Sequence, residues 1–592
     1  MSAEKLITDH INIWTSAVQA KSASGRGSSK KRELYGIKKL RELILELAVR
    51  GKLVPQDPSD EPASVLLERI AAEKAQLLKT KSIKQPKLAT VTTESLSESA
   101  LPAGWTKCLL GELLPQFQNG ASSRGDKDGK LTTVLRLADI DNWKVSLKDT
   151  RELEIAQSSV DRYSIEKGDT LIIRVNGSAD IVGRFIVCKE SLDAIYCDHF
   201  IRMRFPIECF DPAFLSILGS SGMVRNVIGD LFVSTAGQKT INQGHLASIE
   251  ILLPPLNEQH RIVAKVDELM ALCNQLEQQT EASLDAHQVL VETLLATLTN
   301  SQDATELMAN WARISEHFGT LFTTEQSIDQ LKQTILQLAV MGKLVPQDPN
   351  DEPAAKLLER IAEEKAQLVK EKKIKKQKAL PPITEDEKPF ELPSGWEWAR
   401  IFDVSLFSEY GSSEKTVTEL PDGVPVLKMG DIQAGKVILG EHQVVSSQIE
   451  DLPNLYLKLG DVLYNRTNSA ELVGKTGMFE GEDDVYTFAS YLIRIRCSFN
   501  NLMPEYLNLS MNTPLFRKTQ IEPHIKQQCG QANVNGTLMK SMLVSVPPVR
   551  EQARLMAKTK ELLSFCDQLK QRLRDSQQTQ LQLTDAIVEQ VL

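Results

Sequence analysis

The chain has 592 residues, 42 % hydrophobic and 25 % charged, which is room for about four ordinary globular domains and is not the composition of a disordered or fibrous protein. No apolar run approaches the roughly 20 residues that a membrane helix needs. The opening MSAEKLITDHINIW carries acid and polar residues where a signal peptide has an apolar stretch, so the expectation is a cytoplasmic protein with no membrane partner. The formal net charge of −9 argues against a simple basic DNA-binding module.

In chain order, Glu33 to Val49 places Leu34, Ile37, Leu40, Leu43, Ile44 and Leu47 at helical spacing, and Gly51 ends that helix. Val54 to Pro58 is a turn. Asp60 is placed to cap the next helix, with Pro62 near its first position, and this helix runs to about residue 79. A Lys- and Ser-rich linker at about 79–100 has few apolar anchors and is expected to be flexible or extended. Short β-rich runs such as Thr170–Val175, separated by Gly, Asn and Asp turns, then predict a mixed α/β domain of about 150 residues. After Pro254-Pro255 a long helix begins. Ile262, Val266, Leu269, Cys273 and Leu276 fall at a/d spacing, with Leu290 and Leu294 in register further on, which predicts a coiled coil.

The same series then recurs. Residues 47–79 and 338–370 agree at 27 of 33 positions at an offset of 291. Leu101-Pro-Ala-Gly-Trp105 returns as Leu392-Pro-Ser-Gly-Trp396, Gly168-Asp169 as Gly460-Asp461, and Glu258-Gln259 as Glu551-Gln552. Gly342 stops the second copy of the first helix, Asp351 and Pro353 stand where Asp60 and Pro62 do, and a second linker follows at about 370–391. Tyr491–Arg496 is again strand-like. Leu555, Leu562, Cys566, Leu569, Leu573, Leu583 and Ile587 form the second apolar seam. The chain is one unit written twice. The expected organisation is 1–100 helical region and linker, 101–255 first α/β domain, 256–391 central helical region, 392–548 second α/β domain and 549–592 terminal helix. The copies are near-identical in the helical block and diverge between about 106–245 and 397–538. That contrast suits one kind of partner met twice and two different targets.

Chemical signatures are few. The cysteines form no C-x-x-C pair and the histidines do not cluster with them, so reduced buried thiols are expected and no metal site. Gly474-Lys475-Thr476 has the tail of a phosphate-binding loop, but Ser469 stands where its first glycine belongs. Pro254-Pro255 and Pro547-Pro548 lack the flanking Asn/Asp and aromatic of an adenine methyltransferase tetrapeptide. Asp483-Asp484 reads as a solvated acidic loop rather than a nuclease cluster. A binding protein with no catalytic residues is expected.

Two divergent α/β domains alternating with near-identical helical regions, with a long helix at the end, resemble the specificity subunit of type I restriction-modification systems. The stretches 254–263 (PPLNEQHRIV) and 547–556 (PPVREQARLM) are similar to the family's exit from a recognition domain, and 237–242 (GQKTIN) and 530–535 (GQANVN) to the segment before it. Gly168-Asp169 with Arg174, and Gly460-Asp461 with Arg466, are similar to its Gly-Asp strand. The resemblance implies mixed α/β target recognition domains in two pseudo-two-fold copies, joined by long antiparallel coiled-coil helices. It implies no catalysis by this chain, with S-adenosylmethionine, ATP and Mg2+ used on other subunits. The implied partners are double-stranded DNA, two methyltransferase subunits and two restriction/translocase subunits. The alternatives are a fused polypeptide that retains catalysis, and a coiled-coil scaffold with no DNA role.

Base discrimination needs donors and acceptors in the major groove, and phosphates need cations. Polar loop residues of the divergent domains are therefore the DNA-binding candidates. In the first domain these are Asn119, Ser122, Ser123, Arg124, Lys127, Arg174, Asn176, Arg184, Gln238 and Lys239. In the second they are Ser412, Ser413, Lys415, Asn465, Arg466, Asn468, Lys475, Gln528, Gln531 and Asn533. Positions that match between copies suit phosphates, and unmatched ones suit bases. Asn242 and Asn535 suit capping instead. Residues 101–254 carry 17 Lys+Arg against 19 Asp+Glu and residues 392–547 carry 13 against 18, so intrinsic affinity for DNA should be weak and shared with partners.

Overall fold

The computed structural model describes residues 3–20, 32–79, 101–122, 129–141, 144–148, 150–205, 210–235, 237–302, 304–528 and 531–592. It forms two units, residues 1–283 with 576–592, and residues 284–575. The first unit thus holds the first copy of the repeat plus the last turns of the helix that follows the second copy. The second unit holds the second copy plus the last turns of the helix that follows the first.

In the first unit, α1 (Tyr35–Val49) buries Ile37, Leu40, Leu43, Ile44 and Leu47. Gly51 ends it at φ +67°, and Lys52 N–H donates to the Leu47 carbonyl at 2.9 Å, closing a Schellman turn. A Cβ on Gly51 would meet Pro102 Cγ at 2.6 Å. α2 (Ala63–Lys79) follows without the expected aspartate cap. Asp60 instead accepts from Arg261 at 2.7 Å. The physical reason is that the carbonyl of Gly104 already takes the Ala63 N–H at 2.9 Å. The second unit repeats the correction: Pro353 occupies the cap position, Gly395 accepts from Ala354 at 2.8 Å and Asp351 pairs with Arg554 at 2.6 Å.

The first α/β domain contains β1 (Gln116–Asn119), β2 (Thr170–Ile173), β3 (Val175–Asn176), β4 (Phe185–Val187), β5 (Phe200–Arg204), β6 (Val233–Thr235) and β7 (Gln238–Thr240). One antiparallel sheet has the order β4-β2-β5-β1, and a smaller one the order β3-β7-β6. The run read as a single strand, Thr170–Val175, therefore breaks at Arg174 and passes from one sheet to the other. Strands Thr106–Leu109 and Glu250–Leu253 pair antiparallel, so the chain enters and leaves the domain side by side. It leaves into α3 (Leu256–Asn300).

The second unit has α4 (Glu325–Val340), α5 (Ala354–Lys370), β8 (Ser405–Tyr410), β9 (Val462–Asn465), β10 (Thr467–Asn468), β11 (Thr476–Met478), β12 (Leu492–Cys497), β13 (Lys526–Gln528), β14 (Gln531–Asn533) and α6 (Val549–Val591). Its larger sheet keeps the order β8-β12-β9-β11 and is extended by the hairpin Ile432–Val437. Its smaller one is β10-β14-β13. The second linker is anchored rather than flexible. The Phe390 ring packs 4.9 Å from Trp398, whose indole N–H donates to the Phe390 carbonyl at 3.2 Å, and Arg400 pairs with Glu387 at 3.0 Å. Residues 80–100 of the first linker lie outside the described residues.

The residues shared by both copies form a frame. Gln56 donates to the Gly51 carbonyl at 2.8 Å and to Glu258 at 3.3 Å; Gln347 donates to Gly342 at 2.6 Å and to Glu551 at 3.2 Å. Gln259 accepts from Asp211 N–H at 2.8 Å, as Gln552 does from Met503 N–H at 2.8 Å. At the helix ends, Lys52 donates to the Leu592 carbonyl at 2.8 Å and Lys343 to the Thr299 carbonyl at 2.9 Å, meeting carbonyls that lack helical partners.

The long helices bury Ile262, Val266, Leu269, Cys273 and Leu276 in the first unit, and Val291, Leu295 and Leu298 in the second, the latter sharing a core with Cys566. Leu290 and Leu583, assigned to the seam by heptad spacing, are exposed; Val291 and Thr584 are buried instead. Cys273 to Val291 and Cys566 to Thr584 are each 18 residues, five turns at 3.6 residues per turn, so the buried line follows the straight-helix period. Among the described residues no helix is long and apolar enough to cross a membrane.

Candidate nucleic-acid interface

The smaller sheet of each domain gathers the candidate residues. In the first domain β3 and β7 pair Val175 with Thr240 and Asn176 with Lys239, and β6 completes the hairpin around Gly237, at φ +80°. In the second, Thr467 pairs with Asn533 and Asn468 with Ala532, and Gln528 with Gln531 at the hairpin end. The hairpins are seated by Ile241 and Val534, both wholly buried. Ile241 N–H donates to the Arg174 carbonyl at 3.0 Å and Val534 N–H to the Arg466 carbonyl at 2.9 Å. Asn242 and Asn535 then cap the next short helices, accepting from His245 N–H and Leu538 N–H, each at 2.9 Å.

The arginines sit where the chain crosses between sheets. Arg174 donates to the Asp198 carbonyl at 3.2 Å and Arg466 to the Ser490 carbonyl at 2.9 Å, while the Arg466 guanidinium lies 5.0 Å from the Tyr410 ring centre. Each arginine is partly spent on holding its neighbouring loop and remains half-buried. Lys239 donates to the Gly177 carbonyl at 3.0 Å. Asn119 is exposed at the end of β1 and accepts from Gln243 at 3.0 Å. Ser122, Gln238, Ser413, Lys415 and Lys475 are exposed.

Other candidates have structural duties. Asn176 accepts from Ser178 N–H at 2.9 Å and Asn468 from Ser469 N–H at 2.8 Å, both turn-forming bonds. Ser412 is buried and accepts from Glu414 N–H at 3.2 Å, so it shapes its own loop. Arg184 donates to the Asp180 carbonyl at 2.8 Å, and burial lowers its pKa. Asn465 is 2 % exposed. Ser123, Arg124 and Lys127 lie outside the described residues, as do the side chains of Gln528 and Gln531. Thr467 escaped sequence reasoning; only its cross-strand place opposite Asn533 marks it.

The Gly-Asp motif is internal. Gly168 and Gly460 turn at φ +92° and +81°. Asp169 takes two donors from Arg204, each at 2.6 Å, and Asp461 takes two from Arg496 at 2.7 and 2.5 Å, tying β2 to β5 and β9 to β12. One sequence reading needs correction: a histidine does adjoin a cysteine. Cys197, Asp198 and His199 bring ligand-type atoms within 4.8 Å of one another, with Cys197 Sγ 3.6 Å from His199 Nδ1. Ala489, Ser490 and Tyr491 stand at these places in the second domain. Burial pushes the thiols of Cys188, Cys273 and Cys566 up to about 12, 11 and 11, which keeps them protonated and unreactive at neutral pH.

The family model described as the type I restriction modification DNA specificity domain matches residues 154–286. The chain is 41 % identical to the type I restriction enzyme EcoEI specificity subunit of Escherichia coli, over 100 % of both chains. It is 40 % identical to the EcoAI specificity subunit, also of Escherichia coli, over 100 % of this chain and 99 % of that one. A solved HsdS subunit from Thermoanaerobacter tengcongensis aligns over 84 % of this chain and 98 % of its own at 17 % identity and a TM-score of 0.41, too distant to carry geometry across.

Proposed function

Because the chain belongs to the type I restriction enzyme specificity subunits, we propose that each of its α/β domains reads one half of a split DNA site through the small sheet and the loops around it. The observation that carries this reading is the contrast between frame and sheet. The Gln56–Glu258 pair recurs as Gln347–Glu551, and Gln259 and Gln552 each accept a loop N–H, whereas Asn176–Lys239 on one small sheet becomes Asn468–Ala532 on the other. Arg174 and Arg466 match between copies and suit phosphates, which carry no sequence information. Unmatched residues such as Lys239, whose counterpart is Ala532, and Asn533 suit base edges.

The helical regions, alike in both copies, dock two methyltransferase subunits, and further restriction/translocase subunits complete the enzyme. The chain itself is not catalytic. S-adenosylmethionine, ATP and Mg2+ belong to the other subunits, and the complex works in the cytoplasm. Neither domain has surplus positive charge, so the partners supply much of the phosphate contact.

The test is to purify the chain with methyltransferase subunits and map methylated adenines on genomic DNA. A split site, one half changing when residues 106–245 are replaced, is the expected outcome. Tight sequence-specific binding by the chain alone would contradict the shared-phosphate part, and methyl transfer by the chain alone would contradict its non-catalytic role.

A further inference from the structure

The second domain keeps buried oxygens without partners beside its small sheet: Asn465 Oδ1, Thr467 Oγ1 and Asn533 Oδ1. Thr467 and Asn533 face each other across β10 and β14, and Asn465 lies two residues before Thr467 on the same run. At the matching places the first domain has Ile173, Val175 and Thr240, none of which leaves a buried atom unpaired. Apolar side chains thus fit two of the three places, and polar ones that go unpaired are costly in the free protein.

The chemistry of the unpaired atoms narrows what completes them. Two are carboxamide oxygens, which only accept. A phosphate offers no donor. Among base edges in the major groove, adenine N6 and cytosine N4 offer one, and the carboxamide also matches adenine through N6 and N7. Arg466, between Asn465 and Thr467, brings positive charge to the same place. We propose that Asn533 and Thr467, half-buried residues whose oxygens a side-chain rotation brings to the surface as DNA docks, receive the exocyclic amino group of an adenine in the half-site read by the second domain. This rests on the small sheet being the DNA-facing surface.

The full chain, assembled with methyltransferase subunits, is incubated with a randomised duplex pool, and the bound DNA is sequenced for the parent, Thr467→Val, Asn533→Thr and Arg466→Ala. The first two variants install the side chains of the first domain. The expected result is a roughly tenfold loss of adenine preference at one position of one half-site, the other half unchanged. The DNA-free melting temperature should not fall, since no partner is lost. Unchanged base preferences in both variants would overturn the proposal, and with a lowered melting temperature would assign the oxygens to an internal water. Lost preference at a guanine or thymine would equally overturn it. Arg466→Ala separates the two levels: parental binding by that variant would sink the interface reading itself, whereas weakened binding with intact base preferences in Thr467→Val and Asn533→Thr would sink only the adenine assignment.

Discussion

Glu551 receives the Trp396 indole N–H at 3.0 Å and Gln347 at 3.2 Å, while burial pushes its carboxyl above the usual range. The site wants an acceptor more than a charge. Glu551→Gln keeps an oxygen for the buried Trp396 indole and should leave stability near the parent at neutral pH, whereas Glu551→Ala leaves that donor without a partner and should cost about 1–3 kcal/mol. Urea unfolding of the two variants checks this, and equal losses would contradict it. At this scale the legible part of the site was the residue type after a turn: Gln238 and Lys239 follow Gly237, and Asn242 and Asn535 suit caps. Thr467 was not legible, because its importance comes from standing opposite Asn533, 66 residues later, and no local pattern encodes that register. Asp60 and Asp351 misled for the same reason, since the competing Gly104 and Gly395 carbonyls arrive from distant turns.

Among the elements, helices were the most legible, because apolar spacing and a left-handed glycine are local signals. Gly342→Ala should cost on the order of 1–2 kcal/mol from backbone strain alone, and more because its Cβ would sit 2.5 Å from Pro393 Cγ. The far half of each long helix was misjudged by one residue, since heptad and 3.6-residue periods drift apart over five turns. The helix pairs also differ in charge. In the first unit α1 offers Arg41 to Glu277 of α3 at 2.5 Å; in the second, α4 offers Asp329 to Lys570 at 2.8 Å and Glu325 to Arg574 at 2.8 Å of α6. The Arg574 hydrogen bond, with Lys570 nearby, holds the Glu325 carboxyl at about 2. A depressed carboxylate contributes stability above its unfolded pKa of about 4.5 and loses it as pH falls toward 2. The pair is largely exposed and screened by solvent, so its contribution to stability is small. The stability gap between the parent and Arg574→Gln should therefore be small at pH 7 and shrink below pH 4.5; a gap independent of pH would contradict the pairing.

At the scale of the molecule the duplication was plain from 27 matches in 33 residues, and so was the divergence of the α/β domains. What sequence identity does not record is which copy closes a helix end. Residues 576–592 belong with the first copy, where Lys52 meets the Leu592 carbonyl and Tyr35 donates to Asp585 at 2.7 Å. If the long helices set the distance between half-sites, about 40 residues at 1.5 Å reach roughly 60 Å, on the order of 18 base-pair steps. Removing one heptad from each helix should shorten the tolerated gap, and an unchanged gap would exclude the helices as the ruler. The central claim is that each domain reads its own half-site. Its most direct test is to replace residues 106–245 with another recognition domain, assemble the chain with methyltransferase subunits and map methylated adenines. The account predicts one half-site changed and the other kept; a change in both halves, or in neither, would contradict it.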